Sequence, residues 1–148
     1  MRCTTLGRLL EILMVEDHFP SARTTIAALK QGGIDHRLTW LRTSAEALEF
    51  LLRRNRFVHA PRPDLLLLAV GTASVDVRPI LQMMTLDVLL SRVPVVVMTA
   101  AKQEFDGVAR ERLHITAHLP KPVSRAGFLK VVGDLRAHLR DDILLPAV

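Results

Sequence analysis

Short apolar segments alternate with amphipathic segments along this chain. Residues 65–70 and 94–98 are nearly continuous in leucine or valine, the pattern of strands that are buried on both faces of a parallel sheet. With three similar segments they predict five strands, at residues 10–15, 37–41, 65–70, 94–98 and 115–119. Parallel strands need crossover connections, so helices are expected between them.

The helical segments have recognisable ends and apolar faces. The predicted first-turn or capping residues are Pro20, Thr43 with Glu46, Asp76 and Ser124. Gly32 and Gly33 can form the left-handed turn that ends the first helix. The predicted inward faces are Ala22, Ile26 and Leu29; Leu48, Leu51 and Leu52; Ile80, Met83 and Met84; and Phe128, Val131, Val132, Leu135 and Leu139. A further helix at about residues 104–112 is interrupted by Gly107.

The alternation of strands and helices predicts an α/β, doubly wound architecture. The chain length of 148 residues fits one domain, with a core at about residues 10–140 and a short apolar tail. The single Cys3 excludes an intrachain disulfide and suits a reducing cytoplasm. Because no apolar stretch approaches the roughly 20 residues that span a bilayer, we expect a soluble, cytoplasmic protein.

The net charge of +5 and the isoelectric point near 10.3 raise nucleic acid as a partner. The arginines, however, are dispersed along the chain with few aromatic residues among them. That dispersal favours solvent-exposed helix faces over a nucleic-acid groove. A small basic domain that binds nucleic acid is kept as the alternative, which a steep fall of binding with salt would support.

Polar residues follow several of the predicted strands, at the edge where ligands collect in an open parallel sheet. These residues are Glu16 and Asp17, Thr99, and Lys121. Two adjacent acids, a hydroxyl and an ammonium suit Mg²⁺ and a phosphoryl group, since hard cations prefer carboxylate oxygens. Ala69, at the end of the third strand, leaves the centre of this arrangement without a carboxylate.

The same segments resemble the response-regulator receiver domain, in the family's order and spacing. The matching segments are residues 12–17, 64–69, 94–99 and 119–122, and the resemblance covers about residues 10–140. It implies a flavodoxin-like (βα)5 fold with a five-stranded parallel sheet in the order 2-1-3-4-5. Residues 60–64 further resemble the short, stand-alone receivers that partner phytochrome-type histidine kinases.

The resemblance also implies a role for each matching residue. Glu16 and Asp17 would hold Mg²⁺, Thr99 would be the switch hydroxyl, and Lys121 would contact the phosphoryl oxygens. Ala69 replaces the aspartate that the family phosphorylates. The family usually has a cis peptide before a proline such as Pro122.

At four further positions the residue differs from the one that is usual in the family. Ala73 and Val77 replace a proline and a glycine of the loop after the third strand, and His114 stands where a glycine often precedes the last strand. His118 occupies the position of the tyrosine or phenylalanine that takes part in switching. These departures predict a retained fold with lost phosphotransfer.

Distances along a strand exclude two alternative sites. Asp64 cannot replace the missing acceptor, because it begins the third strand, about 16 Å from position 69 at ~3.3 Å per residue. His114 and His118 have the spacing of a zinc pair on a helix, but on a strand they lie about 13 Å apart. Taken singly, Thr99 is better explained as a local cap and Lys121 as a solvated side chain.

We therefore expect a signalling module of a two-component pathway that acts through protein–protein contact and is not an enzyme. Its partner would be a histidine kinase or another signalling protein, with a homodimer as a further candidate. His118, Arg136 and Arg140 are predicted to lie in the interface. We expect no cofactor beyond weakly bound Mg²⁺, and neither nucleic acid nor a membrane as partner.

Overall fold

A computed structural model of the chain describes residues 9–71, 75–101, 115–136 and 139. The strands are β1 (Leu10–Val15), β2 (His36–Leu41), β3 (Leu65–Ala69), β4 (Val95–Thr99) and β5 (Ala117–Pro120). The α-helices of these residues are α1 (Phe19–Gln31), α2 (Ser44–Leu51), α3 (Val77–Leu86) and α4 (Arg125–Leu135). Short 3₁₀ helices follow α2 and α3, at Asn55–Phe57 and Leu90–Arg92. The predicted helix at about 104–112 lies outside the described residues.

The five strands form one parallel sheet in the order β2-β1-β3-β4-β5. Each strand overlaps the apolar segment that predicted it, and the order is that expected from the family resemblance. The prediction of a doubly wound α/β fold is therefore confirmed. The carboxyl ends of β1, β3, β4 and β5 meet at one edge of the sheet, which positions the candidate site.

The sheet separates two apolar layers. β3 and β4 are buried throughout, because helices cover both of their faces. Alternate residues of β3 enter opposite layers: Leu65 and Leu67 pack with residues of α1 and α4, whereas Leu66 and Leu68 pack with residues of α2 and α3. This alternation follows from the two-residue repeat of a strand.

The helix ends follow their sequence signals closely. Gly33, with φ of +72°, provides the left-handed residue after α1. The side chains of Asp76 and Ser124 accept hydrogen bonds from the first-turn amides of Arg78 and Gly127. His18 caps α1 by accepting from the Ser21 N–H, a cap that the sequence analysis did not assign.

The inward faces were predicted correctly for α4 and, in its main contacts, for α1. The prediction for α2 was partly wrong, because Leu48 and Leu52 are only half-buried while Ala47 and Phe50 take the core positions. Phe50 packs edge-on against Phe57 of the following 3₁₀ helix, with ring centroids 5.4 Å apart. In α3, similarly, Leu81 is buried and Met83 only partly so.

A capping box stabilises the start of α2. The Glu46 N–H donates to Thr43 Oγ1 at 3.2 Å, and the Glu46 carboxylate accepts from the Arg42 N–H at 3.3 Å. The Arg56 guanidinium also donates to this carboxylate. Burial raises the pKa of Glu46, but the hydrogen bonds from Arg42, Thr43 and Arg56, together with the Arg56 charge, outweigh burial and hold the pKa below its usual range.

Glu46→Gln should lower the free energy of unfolding by about 0.5–1 kcal/mol near neutral pH, since it removes a charge-assisted cap. The folded-state pKa is depressed, so this stability is present above the unfolded-state pKa and is lost as pH falls through the folded-state value. The difference in stability between wild type and variant should therefore narrow as pH falls through the folded-state pKa of Glu46, as measured by urea denaturation at a series of pH values. Glu49→Gln on the same helix is the matched control. If it shows the same pH-dependent loss of stability relative to wild type, the assignment of the effect to the capping box is refuted.

Candidate functional site at the carboxyl edge of the sheet

The carboxyl edge brings most of the predicted site residues together. Glu16 follows β1, Ala69 ends β3, Thr99 ends β4 and Lys121 follows β5. The strand register fixes their relative heights, because Ala69 pairs with Met98 and the Lys121 N–H donates to the Thr99 carbonyl at 2.8 Å. The side chains that the sequence analysis selected thus surround one crevice.

A buried ion pair crosses this crevice. Lys121 Nζ lies 2.6 Å from Glu16 Oε1, and the glutamate is fully buried. No hydrogen bond of ordinary geometry reaches Oε1 among the described residues, so the contact with Lys121 is a close charge–charge contact. The other carboxylate oxygen accepts from the His18 N–H at 3.2 Å. The lysine therefore has a protein partner where the family resemblance assigned it a phosphoryl group.

A second polar contact joins the ends of β4 and β5. Thr99 Oγ1 and His118 Nε2 are 2.6 Å apart, and Thr99 is buried. His118 points to the same side as the hydroxyl because Val97 pairs with His118 in the parallel register, and Thr99 lies two residues further along β4. The predicted switch hydroxyl and the substituted switch residue are thus in direct contact.

Ala69 ends β3, which lies between β1 and β4 in the sheet, and is fully buried. Its methyl group packs in the apolar layer that contains Met14 and Met98. A methyl group offers neither a nucleophilic oxygen nor a ligand for a cation. After β5, the Lys121–Pro122 peptide bond is cis, as the family resemblance implied.

Comparison with known proteins decides the family. The response regulator Rcp1 of Synechocystis sp. is 33% identical to this chain over 136 residues, which is 92% of either protein. The chain belongs to the response-regulator receiver family. No protein-family model matches this receiver. None of the helices that the structure describes has the length and apolar character of a membrane span.

Solved structures agree with this assignment. The bacteriophytochrome response regulator AtBRR superposes on the receiver with a TM-score of 0.81 at 27% identity, over 96% of this chain and 99% of that one. The Mn²⁺-bound form of Rcp1 gives a TM-score of 0.70 at 33% identity, over 93% and 99% of the two chains. These proteins share the fold with this receiver along almost its whole length.

The loop after β1 is held by side chains of the neighbouring strand. Trp40 Nε1 donates to the Glu16 carbonyl at 2.8 Å, and the Arg42 guanidinium donates to the Asp17 carbonyl at 3.3 Å. Phe19, at the start of α1, packs against Trp40 with ring centroids 5.8 Å apart. These contacts fix the backbone on which both acids of the receiver lie.

Several predicted residues lie away from the crevice or outside the described residues. Asp64 accepts a hydrogen bond from the Glu11 N–H at the amino end of β3, consistent with the prediction that it cannot replace the acceptor. Val77 is buried in the first turn of α3, and Arg136 is exposed at the end of α4. The remaining predicted positions, Ala73, His114 and Arg140, fall outside the residues that the receiver structure describes.

Sequence reasoning found the residues of the crevice but missed how they pair. The contacts of Glu16 with Lys121 and of Thr99 with His118 join residues that are distant in sequence. The sequence contains a signal for each contact. Lys121 needs another anion because position 69 has no aspartate. His118, in place of the switch aromatic, can form a hydrogen bond with the hydroxyl of Thr99.

Lys121→Met should lower the free energy of unfolding of this receiver by about 3 kcal/mol, because it leaves the Glu16 charge buried and unpaired. Adding Glu16→Gln to Lys121→Met should restore most of that loss, since no buried charge then remains. Chemical denaturation at neutral pH measures both. Equal stability of Lys121→Met and wild type would mean that the pair does not support the fold.

Proposed function

We propose that this receiver is a stand-alone signalling module of a two-component pathway that acts through protein–protein contact without aspartyl phosphorylation. The observation that carries the proposal is the buried Ala69 at the end of β3, with the Glu16–Lys121 ion pair beside it. The fold is that of a phosphorylated signalling domain, but the acceptor oxygen is missing. In this proposal the module is a signalling protein and not an enzyme.

Phosphoryl transfer to a receiver needs an oxygen nucleophile in the crevice. Glu16 is poorly suited to replace the missing aspartate, because its carboxylate is buried, paired with Lys121 and bonded to the His18 N–H. Attack by Glu16 would require breaking the ion pair and exposing the group. We therefore infer that Glu16 does not take over the acceptor role.

Binding of Mg²⁺ in the usual way fits this crevice poorly. The described residues hold no group of three or more histidine, cysteine, aspartate or glutamate side chains that could share a metal. The ammonium of Lys121 already neutralises Glu16, and Ala69 contributes no ligand. Mg²⁺ dehydrates reluctantly and relies on carboxylate charge, so we propose that its site, formed by Glu16 and Asp17, is lost or weak.

The partner is proposed from the relatives. Two of the similar solved structures carry the names of bacteriophytochrome response regulators, and the loop at residues 60–64 resembles receivers of that kind. We infer that this receiver binds a histidine kinase or another protein of such a pathway, in the cytoplasm, and that a homodimer is a second mode of association. Nucleic acid is not favoured, because Arg23, Arg42 and Arg56 each lie over an aromatic ring of the chain itself.

The Thr99–His118 contact supports a constitutive rather than a switched surface. A two-state switch needs a ligand with different affinity for the two states, and phosphate cannot supply that difference without an acceptor. The 2.6 Å contact between the hydroxyl and the imidazole instead ties β4 to β5 in one arrangement. We propose that the face next to β5 and α4 is held ready for its partner.

The purified receiver should gain no acyl phosphate from a histidine kinase or a small phosphodonor, as measured by intact mass and acid-labile phosphate. Ala69→Asp should gain one phosphate and bind Mg²⁺ measurably more tightly in titration calorimetry, since it adds the missing nucleophile and ligand. Ala69→Asn is the matched control of equal size that lacks the charge. A stoichiometric, Mg²⁺-dependent adduct on the unmodified protein would overturn the proposal.

His118→Ala combined with Arg136→Glu and Arg140→Glu should weaken self-association or partner capture, if the face next to β5 and α4 forms the interface. Sedimentation and pull-down from the native cell measure the two modes separately. Lys30→Glu, an exposed charge reversal at the end of α1, is the control. Unchanged association by the triple variant, with its circular dichroism spectrum intact, would exclude this face.

A further inference from the structure

A cavity opens at the amino edge of the sheet, opposite the Ala69 crevice. It has a volume of about 540 Å³, and its described lining comes from the segments that precede β3 and β4 and from the buried Leu139. Sites of about 300–1,000 Å³ are of the size that holds small molecules in proteins. This cavity, which we call the amino-edge pocket, has no part in the function proposed above.

The amino-edge pocket carries two positive charges. Arg62 and Arg92 line it and are exposed, and neither side chain forms an ion pair or a hydrogen bond within the described part of the chain. The acid in the described lining, Asp64, is buried, and its carboxylate accepts a hydrogen bond from the Glu11 N–H at 2.9 Å. The two guanidinium groups are therefore available to an anionic group, which arginine contacts in a planar, bidentate manner.

The rest of the described lining is apolar. Pro63, Val93, Pro94 and Leu139 are buried, and Leu89 is half exposed. All five side chains are aliphatic, so within the described lining a nucleotide base would find no aromatic ring on which to stack. Aliphatic walls beside two cations suit a molecule that has a hydrocarbon body and an anionic end.

Hydrogen bonds hold the two segments that form the pocket. The Asp64 N–H donates to the Glu11 carbonyl at 2.8 Å, so the segment before β3 is tied to β1 through both the backbone and the side chain of Asp64. The Asp87 carboxylate accepts from the N–H groups of Leu89 and Leu90, at 2.9 and 3.0 Å, and fixes the turn before β4. A ligand that enters a site with fixed walls orders few protein groups, and its binding costs less entropy.

We propose that the amino-edge pocket binds a small amphipathic anion, with a carboxylate or an alkyl phosphate at Arg62 and Arg92 and an aliphatic chain against Leu89 and Leu139. Both head groups present pairs of oxygens that match the fork of a guanidinium group. The pocket is separate from the Ala69 crevice, so this receiver has a ligand site that does not depend on the missing phosphoacceptor.

Titration of the full chain with octanoate and with octyl phosphate, both below the concentration of micelle formation, tests the proposal by amide NMR. Saturable shifts are expected for the amides of Arg62, Asp64, Leu89 and Arg92, and the tighter of the two probes identifies the head group. Octyltrimethylammonium and acetate should each bind about tenfold or more weakly, because the first has the same charge as the arginines and the second buries no chain. Equal binding of either control, or no saturable shift with either probe, would overturn the proposal.

The contribution of the arginines is measured separately. Arg62→Gln with Arg92→Gln should weaken binding of both probes about tenfold, as expected for the loss of two exposed ion pairs. Arg23→Gln with Arg78→Gln removes two exposed charges of α1 and α3 outside the described lining and should leave binding unchanged. Equal weakening by the two double variants would show that net charge alone attracts the probes, which contradicts a site at Arg62 and Arg92.

Discussion

The ion pair between Glu16 and Lys121 determines how the carboxyl edge of this receiver is organised. In the strand order β2-β1-β3-β4-β5, β3 and β4 separate the two strands from which these residues follow. The pair therefore reaches across the carboxyl ends of β3, where Ala69 lies, and β4. A fully buried carboxylate is tolerated only with a compensating charge and hydrogen bonds, and Lys121 and the His18 N–H supply them. The absence of a side-chain carboxylate at position 69 leaves the lysine with this one acidic partner among the described contacts.

The contact of Thr99 with His118 is a second polar contact at this edge, between β4 and β5. It joins the ends of β4 and β5 through side chains, in addition to the backbone ladder that already connects them. Buried polar contacts in a medium of low dielectric constant are strong when they are satisfied and costly when they are broken. The Glu16–Lys121 and Thr99–His118 contacts therefore engage three of the polar residues that the family resemblance assigned to a metal or a phosphoryl group.

The two edges of the sheet consequently have different characters. At the carboxyl edge, the charged groups of Glu16 and Lys121 are paired with each other inside the protein. At the amino edge, Arg62 and Arg92 are exposed beside an apolar surface. Charges that are paired and buried mainly stabilise the fold, whereas exposed charges next to apolar side chains contribute to recognition.

The sequence by itself determined the order of the elements, the parallel sheet and the edge at which Glu16, Ala69, Thr99 and Lys121 meet. It could do so because strand burial, helix caps and strand ends are local properties with short periods along the chain. It misassigned part of the inward face of α2, where Phe50 packs against a 3₁₀ helix that no local pattern predicted. Only the tertiary structure decided which side chains pair. The partners of Lys121 and His118 depend on distances across the sheet, and such distances arise only once strands far apart in sequence lie side by side.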